Sequence, residues 1–321
     1  MSTQRRGAPG AVAPQDLGLL LFLGAVWGGA YLFMRVASPQ AGPLWTAEIR
    51  IGLAAVILLA VTGPRTWRTL RSRALPMAAV GLTFSAIPFT LISFATLTLP
   101  TGLAALLNAA TPIFTALVAA ALIGHRLTPR AVIGMGVGVV AVLVLVGWSP
   151  LPLETGTLLA VGAALVAALS YAIGGSLVRR FLPGVSGTEV ATGQLTSGAI
   201  LLLPFAVLSG PPGTIGLDGG VALIGLATVS TALAWPLFFR VSRRTTPTVA
   251  STVTFVVPAF GIAWGAVVLG EPVGIELIAG FALVVLSLAL VLNLPMPTPT
   301  AMRRRIAAAP IWRRRPASSG A

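Results

Sequence analysis

Two ionisable side chains, Glu48 and Arg50, stand inside an otherwise apolar run of about 19 residues, 44–62. A charge near the centre of a membrane segment costs roughly 2.5–3.5 kcal/mol on insertion scales, so Arg50 needs a reason to be there. One reason is anion recognition: a guanidinium on a cavity wall attracts a carboxylate. The other is structural, as a clamp on a neighbouring helix or a stem that snorkels outward. Glu48 is two residues away and so points to a different side of a helix. It is the carboxylate set deepest inside a span, which makes it the candidate carrier for a coupled proton; at the outer boundary it would simply be hydrated. Trp27, Tyr31, Tyr171 and Trp235 are large aromatics away from the expected interfacial belts, placed to stack on a substrate or to pack between helices. Pro112 and Pro258 lie within apolar runs, and each frees the carbonyl four residues back, at Asn108 and Thr254. Unpaired backbone polarity at membrane depth is tolerated only against protein or a water-filled cavity, so Asn108 and Thr254 are further candidates for its lining.

These residues need a membrane scaffold to position them. Of 321 residues, 56% are hydrophobic and 9% charged, against about 25% charged in soluble domains. Apolar runs at about 17–37, 44–62, 75–97, 102–123, 130–148, 156–178, 188–209, 217–239, 248–269 and 273–293 predict ten transmembrane helices, each near the ~20 residues that cross a bilayer. The first run is longer than the roughly 7–15 residues of a leader's apolar core, and is read as a retained span. The net charge of +14 comes from arginine alone. Nineteen of the 21 arginines fall in the two tails and in alternate connections, such as Arg65 to Arg73, Arg179–Arg180 and Arg240 to Arg244; the other connections hold Glu154, Asp218 and Glu271. The positive-inside rule then places both termini in the cytoplasm of a multi-pass plasma (inner) membrane protein, and the charge needs no nucleic acid to explain it.

The chain repeats itself at an interval of 146 residues: Pro112-Ile-Phe, Gly124-His125 and Gly134 answer Pro258-Ala-Phe, Gly270-Glu271 and Gly280. Ser85-Ala86 matches Thr231-Ala232 at the same interval, and Trp27 and Arg35 match Tyr171 and Arg179 at 144. Arg50 then falls opposite Gln194, a neutral amide that is also a candidate for substrate binding. Five spans per copy is odd, so the second copy enters the membrane upside down, a recurrent plan of transporters. The expected fold is all-α, ten helices as two inverted five-helix repeats. Its parts are an N-terminal tail at 1–15, repeats at 16–148 and 156–293, and a basic tail at 294–321.

Glu48-Ile-Arg50 with its aliphatic continuation, Trp27-Gly28, Thr111-Pro112-Ile-Phe, Val257-Pro258-Ala-Phe and Leu269-Gly270-Glu271 resemble the EamA-type transporters of the drug/metabolite transporter superfamily. The resemblance covers nearly everything but the tails. It implies a central cavity open alternately to each side, and a small organic cargo such as a metabolite, an amino acid or a drug, often moved outward. Where that family usually repeats a glutamate after the glycine, the first half here has His125 and only the second keeps Glu271. His125 and Glu271, at span ends, are either solvated termini or gate contacts made in one state and broken in the other.

Gly24/Gly28, Gly134/Gly138 and Gly261/Gly265 are spaced for close helix contact, within one subunit or across a homodimer. The tail, with Arg303 to Arg305 and Arg313 to Arg315 around Trp312, suits anionic lipid or a disordered end. One histidine and no cysteine leave no metal site or thiol chemistry, and no nucleotide-binding or cofactor motif is present. A membrane-embedded enzyme would need clustered acid–base groups that the chain lacks. The leading expectation is an alternating-access secondary transporter, an exporter by resemblance, with small-molecule substrate, lipid and a coupling proton as partners. A passive channel or lipid scramblase on the same scaffold is the alternative.

Overall fold

The computed structural model describes residues 14–123, 127–148, 152, 154–244 and 253–294. His125 and the basic tail lie outside the described residues. Within them the chain is helical and forms no strand. The first half gives α1 (Pro14–Ala41), α2 (Pro43–Val61), a short α3 (Pro64–Ser72), α4 (Ala74–Ala95), α5 in two segments (Thr101–Asn108 and Thr111–Ile123) and α6 (Pro129–Gly147). The second gives α7 (Thr155–Phe181), α8 (Gly187–Leu208), α9 (Leu217–Val241), α10 (Val253–Leu269) and α11 (Ile275–Val291). Eight of these are long and apolar enough to cross a membrane. The 17-residue α10 and α11 still reach about 26 Å at ~1.5 Å per residue.

Local signals set many of the boundaries. Proline opens α2, α3 and α6, where a missing N–H costs no bond. Ser186 and Glu189 form a reciprocal capping box at the start of α8. Gly270 ends α10 with φ of 66°, a left-handed turn that glycine enters without a Cβ penalty.

The packing obeys the exchange of repeats. α1 packs on α9 and α10, as α7 packs on α4 and α5; α2 pairs with α8, and α6 with α11. With five membrane helices in each half, equivalent helices run in opposite directions. This is the inverted five-plus-five architecture expected from the sequence. In a bilayer, helices gain little by hiding apolar surface from one another, so close contact must supply the cohesion. Glycine provides it. A Cβ on Gly28 of α1 would lie 2.7 Å from Phe260 Cβ and 2.8 Å from Gly261 N. A Cβ on Gly134 of α6 would lie 2.7 Å from Leu290 Cβ, where Ser287 also donates to the Gly134 carbonyl at 2.7 Å. The glycine pairs therefore join helices of one chain.

The two prolines act differently. Pro258 lies inside a continuous α10, whereas α5 is interrupted at Ala109–Ala110 and Pro112 sits in the first turn of its second segment. The Asn108 carbonyl is not left free, because the Thr111 hydroxyl donates to it at 2.7 Å. α4 and α9 each contain one π-helical turn, Leu82–Ala86 and Thr228–Leu233, at repeat-equivalent positions. Such turns redirect side chains and release carbonyls from the regular ladder. Here the Thr83 carbonyl accepts from Ser170 of α7 at 2.7 Å, and the Ser230 carbonyl accepts from the Trp27 indole of α1 at 3.1 Å.

Candidate functional site

A cavity of about 310 Å³ lies between the repeats, at the low end of small-molecule pockets. α1 presents one helical stripe to it, Trp27, Ala30, Tyr31 and Met34; α7 presents Tyr171, Gly175 and Arg179. α2 supplies Arg50, α4 Phe84 and Phe89, α5 Asn108, α9 Trp235 and Phe238, and α10 Thr254 and Pro258. Aromatic rings form an arc across four helices. Trp27 and Trp235 are 5.3 Å apart, Trp235 and Phe84 5.3 Å, and Phe84 and Tyr171 5.4 Å between centroids. These tilted and edge-on contacts hold flat surfaces in place with few rotatable bonds.

Arg50 is 4% exposed and is positioned from three helices. Its Nε donates to Thr231 Oγ1 at 2.9 Å, its Nη1 contacts the Met34 sulfur at 3.5 Å, and its guanidinium lies 3.8 Å from the Phe89 ring centroid. Thr231 reaches it because the π turn of α9 lets the same hydroxyl donate to the Leu226 carbonyl five residues back, at 2.7 Å. Among the described residues no carboxylate pairs with Arg50. Nearby, Asn108 donates to the Tyr31 hydroxyl at 2.7 Å. Asn108 Oδ1 and Trp235 Nε1 have no hydrogen-bond partner.

Thus Trp27, Tyr31, Arg50, Asn108, Tyr171, Trp235 and Thr254 are brought to one cavity, with Pro258 beside Thr254. Gln194 is not. It is buried at 1% exposure where α8 meets α4, with Gly198 of α8 packed against Gly81 and Ser85 of α4. That close approach keeps α8 outside the ring of lining helices, so the repeat partner of Arg50 faces packing instead of the cavity. Neither Gln194 nor Ser85, the repeat equivalents of Arg50 and Thr231, finds a side-chain hydrogen bond. Glu48 is also buried and off the lining; its Oε2 has no partner. Pro112 stays behind Thr111, which does line the cavity.

The two ends of the cavity differ. Arg179, the exposed residue among the lining, stands at the end bearing the arginine-rich connections. The opposite end carries a polar cluster around Glu271. Its carboxylate accepts from Thr101 N at 3.0 and 2.9 Å and from Thr101 Oγ1 at 3.0 Å, capping the N-terminus of α5. Arg35 of α1 stands 4.0 Å from Glu271 and donates to the last carbonyls of α4, Thr96 and Leu97, at 2.7 and 2.8 Å. One carboxylate and one guanidinium therefore join α1, α4, α5 and the α10–α11 turn.

Sequence reasoning missed Met34, Phe84, Phe89, Phe238, Arg179 and Thr231. Met34 was accessible from the spacing of the α1 stripe. The π turns that aim Phe84 and Thr231 have no signal in hydrophobic periodicity.

The profile of the EamA-like transporter family matches residues 17–147 and again 158–293. An "Uncharacterized transporter YvbV" of Bacillus subtilis is 26% identical over 280 residues, spanning 84% of this chain and 89% of that protein. A "Probable amino-acid metabolite efflux pump" of Salmonella typhimurium is 27% identical over 288 residues, 84% of this chain and 92% of its own length. A "Probable terminal-alkyne amino-acid exporter" of Streptantibioticus cattleyicolor is 29% identical over 180 residues, 56% of this chain and 59% of its own. A solved crystal structure superposes over 92% of this chain and 99% of its own with a TM-score of 0.60 at 16% identity, a likeness of fold.

Proposed function

The chain belongs to the EamA-like transporter family, and from that premise we propose that it is a secondary transporter moving small organic metabolites, amino-acid-like compounds or drugs, across the plasma membrane by alternating access. The repeats at 16–148 and 156–293 are the two moving halves. The observation that carries the reading is the cavity between them, with a buried Arg50 that has no carboxylate against it among the described residues, set among aromatic walls. A small solute with a carboxylate and an apolar body fits that combination. Trp27, Tyr31, Tyr171 and Trp235 stack on the body; Asn108 and Thr254 offer polar contacts.

The arginine-rich connections place the Arg179 end and both termini in the cytoplasm. On this reading the state is open inward and closed outward, with Glu271, Arg35 and Thr101 as the outer gate. Two relatives named as an efflux pump and an exporter favour transport outward. Glu48, a buried carboxyl with no cation against it, is the candidate for proton coupling.

Counterflow in proteoliposomes separates a carrier from a passive channel or scramblase. A carrier shows saturable uptake stimulated by unlabelled substrate on the far side, and a channel shows no such stimulation. Glu48→Gln is expected to leave counterflow intact while abolishing uptake driven by an imposed pH gradient. Retained gradient-driven uptake in that variant removes Glu48 from coupling.

A further inference from the structure

We propose that the cavity selects hydrophobic monocarboxylates and that an α-ammonium group on the substrate is dispensable and disfavoured, an inference that rests on the transporter reading above. Its basis is the charge balance of the lining. Arg50 and Arg179 face the cavity, and no aspartate or glutamate is among the described lining residues. Arg50 spends Nε on Thr231 and Nη1 on Met34; Nη2 has no partner among the described residues. A buried cation with a spare donor is completed by an anion, and a carboxylate is the small organic group that matches a guanidinium edge.

An ammonium beside that carboxylate would enter a site of the same sign, with no acid to compensate its lost hydration. Aromatic faces can substitute for an acid through cation–π attraction. Here the Phe89 face is already taken by the Arg50 guanidinium at 3.8 Å, and the remaining rings share a wall with two arginines. The neutral groups of the site do not reverse the balance. Asn108 commits Nδ2 to Tyr31 and keeps one spare acceptor, while Trp235 Nε1 is a spare donor and suits a second oxygen as well as Arg50 does. The tilted rings of Trp27, Phe84, Tyr171 and Trp235 favour a planar body over a branched one.

The test uses the full chain in lipid nanodiscs and three ligands on one skeleton: 3-phenylpropionate, phenylalanine and phenethylamine. Calorimetric titration is expected to give 3-phenylpropionate an affinity at least about ten-fold above that of phenylalanine, and no saturable signal for phenethylamine. Arg50→Gln, checked for an unchanged melting profile, is expected to erase the preference for the anion. Equal or tighter binding of phenylalanine, or saturable binding of phenethylamine, overturns the proposal. Trans-stimulated flux of another solute, without binding of 3-phenylpropionate, overturns this inference alone. Absence of trans-stimulated flux for every metabolite in a screen overturns the transporter reading itself.

Discussion

At the residue scale, Arg50 does two things that its place in the sequence left as alternatives. It clamps, since Thr231, Met34 and Phe89 hold it from α9, α1 and α4, and it lines the cavity with Nη2 to spare. Hydrogen bonds to a charged group contribute about 1.5–3 kcal/mol each. Arg50→Ala is accordingly expected to lower kcat/KM for a carboxylate by roughly 10–100-fold while the protein still inserts at its normal level. Arg50→Lys keeps the charge but cannot hold Thr231 and a substrate carboxylate from one planar fork, so it should recover only part of the activity. Thr231→Val tests the clamp by itself. It preserves shape, removes the acceptor of Nε, and is expected to raise KM by about ten-fold with kcat less affected. Unchanged kinetics in Thr231→Val would mean that Arg50 keeps its pose without that bond. Arg50 and the Trp and Tyr side chains of the cavity were legible in the sequence because their chemistry is conspicuous in an apolar span, whereas Phe84, Phe89 and Phe238 were not. Thr231 was legible only as a repeat position, because its role depends on a bond to the carbonyl five residues back. Gln194 illustrates the converse: repeat equivalence placed it correctly opposite Arg50, but α8 approaches α4 so closely that the position has no cavity to face.

At the element scale, the helices followed from apolar run length and their two-copy arrangement from the 146-residue repeat, while which helices pair did not. The breaks in the helices did not. Both π turns and the Ala109–Ala110 interruption are local departures from a regular ladder, and residue types there read as ordinary helix. Proline gave a real signal of irregularity, but not its form: Thr111 satisfies the carbonyl that Pro112 leaves without an N–H. The cluster around Glu271, proposed above as the outer gate, is the element with the most to test. The Arg35–Glu271 contact, at 4.0 Å between partly exposed groups, contributes little alone. The Glu271 cap on α5 is the stronger part, of the order of 1 kcal/mol. Glu271→Ala should therefore lower the melting midpoint modestly, by an amount matching about 1 kcal/mol, while leaving carboxylate binding at Arg50 intact. Arg35→Gln should also loosen the C-terminal turn of α4, visible as faster amide exchange at Leu97 and its neighbours. A normal exchange rate there would show that the guanidinium does not hold those carbonyls.

At the scale of the whole molecule, two copies of one five-helix unit make equivalent contacts, yet the two ends of the cavity between them carry different side chains: Arg179 at one, and Glu271 bonded to Thr101 at the other. In the alternating-access cycle proposed above, exchanging the conformations of the repeats would open the Glu271 end and close the Arg179 end. The residues at the closures are not symmetric, since Glu271 has His125 as its counterpart, so the two closed states need not be equally stable. A ligand or mutation shifts such an equilibrium only by its difference in free energy between the states. Losing about 1 kcal/mol at the outer closure changes the ratio of states about five-fold. The chain contains no cysteine, so a single engineered thiol reports cleanly. Ala109, buried in the cavity wall beside Asn108, is a suitable site. In oriented vesicles, Ala109→Cys should react with a membrane-impermeant maleimide mainly from the cytoplasmic face. Adding Glu271→Ala should raise the rate from the external face about five-fold and lower the cytoplasmic rate. Equal labelling from both faces in the parent variant would indicate a continuous pore, and an external rate unmoved by Glu271→Ala would remove the α5 cap from the gate.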